Sequence, residues 1–264
     1  MQEPFTVDEL RQLARQHLEG LRLAGVEWLP LGPPVSIALA APQVQVVRLP
    51  PATSESPAEP VGAELSLEQR RVALEVLSKE VAGCLKCSGL ISTRTRTVFA
   101  DGQAGAELCL IGEAPGADED KQGVPFVGAA GQLLNKILAA CGLKREEVYI
   151  CNVIKCRPPN NRTPRPDEVG NCRDFFVRQL ELVRPKFLVA LGGSAAKALL
   201  GTDQSIGKLR GKFHDYRGIP VMVTYHPSFL LPHRSPEKKR EVWEDMKRLM
   251  AKMGREIPGK KENP

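Results

Sequence analysis

Three side chains suited to acid–base or polar recognition chemistry stand where apolar runs end. Glu113 follows ELCLIG (107–112), Asn152 lies near the close of VYICNVI (148–154), and His226 follows VMVTY (221–225). If those runs are parallel strands, their carboxyl ends line one crevice, and a carboxylate, an amide and an imidazole share it. Each alone has a plain explanation: a solvated acid, a turn asparagine, a loop histidine before Pro227. Three at matching positions favour a pocket. Residues 123–128 set Pro125 and Phe126 between two glycines, a tight loop that would present an aromatic ring to a flat ligand such as a nucleobase; the alternative is a Phe126 that fills the core beneath the loop. Small residues at 128–131 and 192–194 open helices with free N–H groups, a seat for an anion, yet neither completes a P-loop or dinucleotide fingerprint.

The seven cysteines divide into two groups. Cys109, Cys141 and Cys151 fall inside a predicted strand, helix and strand, where the thiol serves as a small hydrophobe. Cys84 and Cys87 form a C-x2-C pair after a helix, and Cys156 and Cys172 follow far downstream. Four thiolates there suit either a zinc ion or an iron–sulfur cluster, and spacing does not separate the two. Lys155, Arg157, Arg162 and Arg165 occupy a loop rich in proline and free of acids. Such a loop is either a solvated surface or a phosphate-tracking element beside Asn152.

These residues need a scaffold, and the chain supplies an alternation of apolar strands and amphipathic helices. The four runs named or implied above (107–112, 148–154, 186–193 and 221–225), with helical stretches between them, predict an α/β fold of three layers, α/β/α, around a central four-stranded parallel sheet. Before it, Ser66-Leu-Glu-Gln has the form of a capping box, predicting a helix through Val81 stopped by Gly83. After it, residues 235–253 form a helix with Val242, Met246, Leu249, Met250 and Met253 on one face. Residues 1–62 read as an extension, a short amphipathic helix over 5–21 and a Pro/Ala/Ser-rich linker. Residues 63–258 form the main domain, and 259–264 a tail. Among 264 residues, 37 are Lys or Arg and 31 Asp or Glu; residues 1–60 hold 4 basic and 7 acidic side chains, so the positive excess lies in the remainder. That balance suits nucleic acid without demanding it. No apolar run is long enough to span a membrane and the N-terminus lacks a signal pattern, so a cytoplasmic protein is expected.

From about Glu80 to Lys252 the chain resembles the iron–sulfur, family 4, branch of the uracil-DNA glycosylases. The resemblance rests on GEAPG at 112–116, EDKQGVPFVGAAGQLL at 119–134, VYICNVIKCRPP at 148–159, HPSFLL at 226–231 and the four-cysteine spacing. It implies a 4Fe-4S cluster on Cys84, Cys87, Cys156 and Cys172, and a monofunctional hydrolase that flips uracil from single- or double-stranded DNA and cuts its N-glycosidic bond. By the same resemblance Gly112, Ala114, Phe126, Asn152 and His226 surround the base: Phe126 stacks on it, Asn152 reads its amide edge, and His226 bonds its O2. Glu113 positions or activates the attacking water. Arg157, Ser228, Leu230, Leu231 and Arg234 would contact DNA, the leucines as a wedge into the gap left by the flipped nucleotide. Two departures stand out: Pro232 and His233 precede Arg234, where the family often has Arg directly after the leucines, and Ala114 stands where better-known cousins carry Asp. A DNA-trapping relative has a His between the third and fourth cysteines; residues 157–171 have none, which favours hydrolysis. The expected protein is a monomer, with residues 1–62 recruiting a protein or acting as a tether. The rival readings are a metal-stapled nucleic-acid-binding module without catalysis and an enzyme of small nucleotides.

Overall fold

The computed structural model describes residues 65–231 and 236–259. The amphipathic helix and linker expected within 1–62, Arg234 and the tail from 260 lie outside the described residues. The capping box forms as its residues dictate: Gln69 N–H donates to Ser66 Oγ at 3.2 Å, and Ser66 N–H donates to Gln69 Oε1 at 2.8 Å. It opens α1 (Leu67–Ala82), which ends at Gly83. The short α2 (Ser88–Ile91) follows.

The sheet holds β1 (Leu108–Gly112), β2 (Tyr149–Asn152), β3 (Phe187–Leu191), β4 (Phe213–Tyr216) and β5 (Ile219–Thr224), in the order β2-β1-β3-β5-β4. All neighbours are parallel except β4 and β5. The four expected strands are therefore all present, but the sheet has a fifth, antiparallel edge. FHDY escaped notice because an edge strand needs no continuous apolar run; none of its residues is fully buried. The β4–β5 hairpin turns through Arg217 and Gly218, both at positive φ, the conformation that suits the twist of a two-residue hairpin.

The helices between strands are α3 (Ala117–Gln122), α4 (Ala129–Ala140), α5 (Pro166–Val183), α6 (Gly193–Leu200) and α7 (Ile206–Leu209); α8 (Pro236–Lys252) closes the domain. Alternate residues of β1 feed two separate cores, as the two-residue period of a strand requires. Cys109 and Ile111 pack with Leu77 of α1 and Phe176 of α5. Leu108 and Leu110 pack with Leu134 of α4 and with Met246 and Leu249 of α8. Among the described residues, no helix is long and apolar enough to cross a membrane.

Candidate active site

The strand ends set the geometry. Gly112 closes β1 directly opposite Asn152, which closes β2, and beyond them the pairing continues with Val153 N–H donating to Gly112 O at 2.9 Å and Ile154 N–H to Glu113 O at 3.2 Å. After β3, Gly192 N–H donates to Thr224 O at 2.8 Å, so the β3 and β5 exits leave side by side. Gly192 has φ of 98°, and a Cβ there would lie 3.1 Å from the His226 Cβ. Glu113, Ala114, Phe126, Asn152, His226 and Ser228 line one cleft of about 450 Å³. The structure thus brings the three strand-end side chains and the aromatic loop together.

Phe126 is 5 % exposed, and its ring lies 5.4 Å from the His226 ring, tilted by 35°. Its backbone is left-handed, with φ of 54°. A Cβ on Gly112 would strike Asn152 Oδ1 and lie 2.6 Å from Phe126 Cζ, so Gly112 is needed for the close approach of both groups. Asn152 is 2 % exposed, and its Oδ1 has no hydrogen-bond partner. A buried amide oxygen without a partner costs about 1–3 kcal/mol and fits a place kept for a ligand donor. His226 Nδ1 accepts from Ser228 N–H at 3.2 Å and lies 2.7 Å from Ser228 Oγ. With Nδ1 engaged as acceptor, the proton of the neutral ring sits on Nε2. Burial pushes the imidazole down to about 4, opposed by Glu119, so at neutral pH the ring is an uncharged donor.

Glu119, quoted in the sequence only as part of a motif, proves to be the hub of the loops. Its Oε1 accepts from Val127 N–H at 2.9 Å and Gly128 N–H at 3.0 Å, and its Oε2 from Gly116 N–H at 3.1 Å. One carboxylate thereby ties the loop after β1 to the loop that carries Phe126. The signal for it was the spacing Gly116-x-x-Glu119, a helix-capping interval. Asp120 beside it, 2 % exposed, accepts from Thr95 N–H at 2.9 Å. Arg145 is a second residue that sequence reading passed over, since a charged residue in a surface-like REE turn carries no signal of its own.

The basic loop is not the uniform phosphate track its sequence allowed. Lys155 is 1 % exposed, and its Nζ donates to Asn152 O at 2.8 Å. Arg162 lines the cleft but is held by Glu168 through two bonds of 2.6 and 2.8 Å. Arg165 bonds Asp167. Arg157 bonds the neutral Asn161 at 2.8 Å. In the loop after His226, Leu230 is 2 % exposed and belongs to the core, Leu231 is half-buried, and Phe229 is 37 % exposed and stacked on Tyr225 at 5.3 Å. The burial of Leu230 is that of a core side chain rather than of an exposed wedge.

Cys84, Cys87, Cys156 and Cys172 all pack against one core cluster. N–H donors surround the sulfurs: Arg94 Nη1 on Cys156 at 2.9 Å, Lys155 N on Cys172 at 3.3 Å, Asn171 Nδ2 on Cys87 at 3.5 Å. Burial pushes the Cys172 thiol up to about 11, with Lys155 pulling it down and the sulfurs of Cys156 and Cys84 pushing it further up. Among the described residues, no three His, Cys, Asp or Glu side chains converge closely enough to hold a single metal ion. Cys109, Cys141 and Cys151 are buried as expected.

Residues 99–247 match the model of the Uracil DNA glycosylase superfamily. A type-4 uracil-DNA glycosylase of Thermotoga maritima is 45 % identical over 181 residues, covering 68 % of this chain and 94 % of the relative. One of Archaeoglobus fulgidus is 42 % identical over 194 residues, covering 70 % and 96 %. A type-5 enzyme of Pyrobaculum aerophilum is 32 % identical over 181 residues, covering 56 % and 79 %. The higher identity and the fuller coverage fall on the type-4 side: this chain belongs to the type-4 branch of the uracil-DNA glycosylase superfamily.

Proposed function

We propose that the cleft takes a uracil flipped out of DNA and that the protein hydrolyses its N-glycosidic bond, leaving an abasic site for base excision repair. The observation that carries this reading is the convergence of Phe126, Asn152, His226 and Glu113 on one cleft. Phe126 supplies a face for the pyrimidine ring. The unpaired Asn152 Oδ1 accepts from the uracil N3–H while the amide Nδ2 donates to O4, a pattern that cytosine, with the opposite edge, does not satisfy. The His226 Nε2–H points its donor at O2, where negative charge develops as the bond to the sugar breaks. An uncharged donor in an enclosed site stabilises that anion strongly, and removal of such a group costs about 10²–10³ in rate. Glu113 holds the water that attacks the cation-like sugar. Ser228, through its contacts to Nδ1, keeps the His226 ring in the required tautomer; Gly112 and Ala114 leave room for the base.

The four thiols are read as the ligands of a 4Fe-4S cluster rather than of zinc, because the type-4 branch to which the chain belongs implies that group. N–H donors on the sulfurs are the usual company of cluster thiolates. When bound, the cluster acts as a structural staple. Cys84 and Cys87 would tie α1 and α2 to Cys156 beyond β2 and Cys172 in α5. The two cores on opposite faces of β1 support the three-layer arrangement. Residues 63–258 would be the catalytic domain acting as a monomer, with Arg157, Ser228 and Leu231 on the DNA side and residues 1–62 available to a protein partner.

Incubating the protein with a uracil-containing oligonucleotide, followed by alkali, tests the activity. Scission at uracil is expected, with a loss of at least 10²-fold in Asn152→Ala and His226→Ala. Absence of scission from a protein with the brown colour of an intact cluster would overturn the function; full activity in both variants would overturn the site. Iron and sulfide analysis of the purified protein tests the cluster, and a zinc-loaded, colourless protein would overturn it.

A further inference from the structure

We propose that Arg145 is a positioning residue for the base-stacking ring, fixing Phe126 by gripping the backbone on both sides of its amide. This rests on the reading of Phe126 as the platform for uracil. Phe126 sits in a backbone region that residues with side chains rarely adopt, so something outside the loop must hold it. Arg145 Nη2 donates to Pro125 O at 2.6 Å and Nη1 to Phe126 O at 3.0 Å, two successive carbonyls caught by one planar guanidinium. The guanidinium is itself fixed. Nε meets Asp101 Oδ2 at 2.6 Å, and Nη1 also donates to Asn135 Oδ1 of α4 at 3.0 Å.

Asp101 in turn exchanges two backbone bonds with Ile150 of β2, at 2.9 and 2.8 Å. Ile150 lies two residues before Asn152, so the clamp references the aromatic loop to the strand that carries the base-reading amide. Close packing completes the hold: a Cβ on Gly131 would collide with the Phe126 carbonyl. Among the described residues, the Arg145 hydrogen bonds reach no cleft-lining residue other than Phe126, and Arg145 is not part of the cleft wall. Its effect on the reaction must therefore pass through the loop.

The test is a double-mutant cycle on Arg145→Met and Phe126→Ala, read by inhibition with free uracil as well as by excision from DNA. Stacking on an aromatic ring is worth enough to change affinity roughly 10-fold or more. Arg145→Met should weaken uracil inhibition about 10-fold and lower kcat/KM by a similar factor, while binding of uracil-free DNA stays unchanged. In the Phe126→Ala background the same substitution should add less than threefold, because its target is already gone. Arg145→Lys, which keeps the charge opposite Asp101 but cannot serve both carbonyls at once, should fall between, and it carries the cycle if the Met variant does not fold. Fully additive effects, or an unchanged inhibition constant in a folded variant, would overturn the proposal. A wild-type protein that neither cleaves uracil DNA nor is inhibited by uracil would instead remove the function on which the inference rests.

Discussion

Gly112→Ala is a single-methyl perturbation whose consequence follows from the backbone. The new Cβ would lie against Asn152 Oδ1, 2.6 Å from Phe126 Cζ and 2.8 Å from Cε2. Ordinary carbon contacts begin near 3.5 Å, so the ring must retreat by roughly 0.7–0.9 Å relative to that contact distance, and the amide must swing as well. The ring is 5 % exposed with His226 on one side, and its backbone is clamped by Arg145, so it moves into the space meant for the base. Overpacking of this kind costs about 1–3 kcal/mol of stability, while a misplacement near 1 Å at a reacting site costs about 10² in rate. Single-turnover excision of uracil from a duplex, with the thermal midpoint measured in parallel, separates the two. The expected outcome is a folded protein with kcat/KM down about 100-fold. Excision within threefold of wild type would refute the claim that the missing side chain at 112 is what lets Asn152 and Phe126 approach each other.

The pH profile tests the histidine. Burial holds His226 near 4 against a usual 6.5, so kcat/KM should stay level from pH 8 down to about 5 on account of this group; an acidic limb centred near 6.5 would show that the ring is not desolvated as described. The same depression means the folded state disfavours the imidazolium. The stability this provides is complete above pH 6.5 and is lost as pH falls from 6.5 to about 4, a difference from His226→Gln that urea titrations at pH 7 and pH 5 would read. Glu168→Ala removes a carboxylate only 1 % exposed that Arg162 and the Arg165 N–H hold down to about 2. It should cost roughly 1.5–3 kcal/mol, with the wild-type advantage fading as pH falls from 4.5 to 2; equal urea midpoints at pH 7 would count against the pair.

The parallel strands were legible because a strand buried on both faces must be apolar along its whole length, and the polar residue that ends such a run is visible by contrast. That is why Glu113, Asn152 and His226 could be read as strand-tip groups from sequence. The antiparallel β4 was not, since an edge strand beside solvent has no such constraint. The orientation of the loop charges was not legible for a related reason. A lysine in a run of arginines reads as solvated, yet Lys155 faces inward beneath the Phe99 and Phe176 rings, and only the tertiary fold decides which way a loop cation points. Arg145 grips backbone carbonyls of a distant loop, a contact that leaves no mark in residue type, and for Glu119 the only mark was its spacing from Gly116.

The spacing of Asn152, Lys155 and Cys156 ties the cysteine side of the domain to the end of β2. Lys155 spans the interval: its Nζ holds the Asn152 carbonyl, its N–H holds the Cys172 sulfur, and its carbonyl accepts from Val98 N–H at 2.8 Å. A buried ammonium costs several kcal/mol unless it is paired, and among the described residues its hydrogen-bond partner is a neutral carbonyl. The cluster proposed for the four cysteines would place thiolate charge beside it, with Arg94 on the far side at Cys156, and so offset the cost of its burial. The β2 exit, with Asn152 at its end, is in this way held in place from the cysteine side, as Phe126 is held from the Arg145 side. The cleft has its shape because two separate restraints meet at the one strand end.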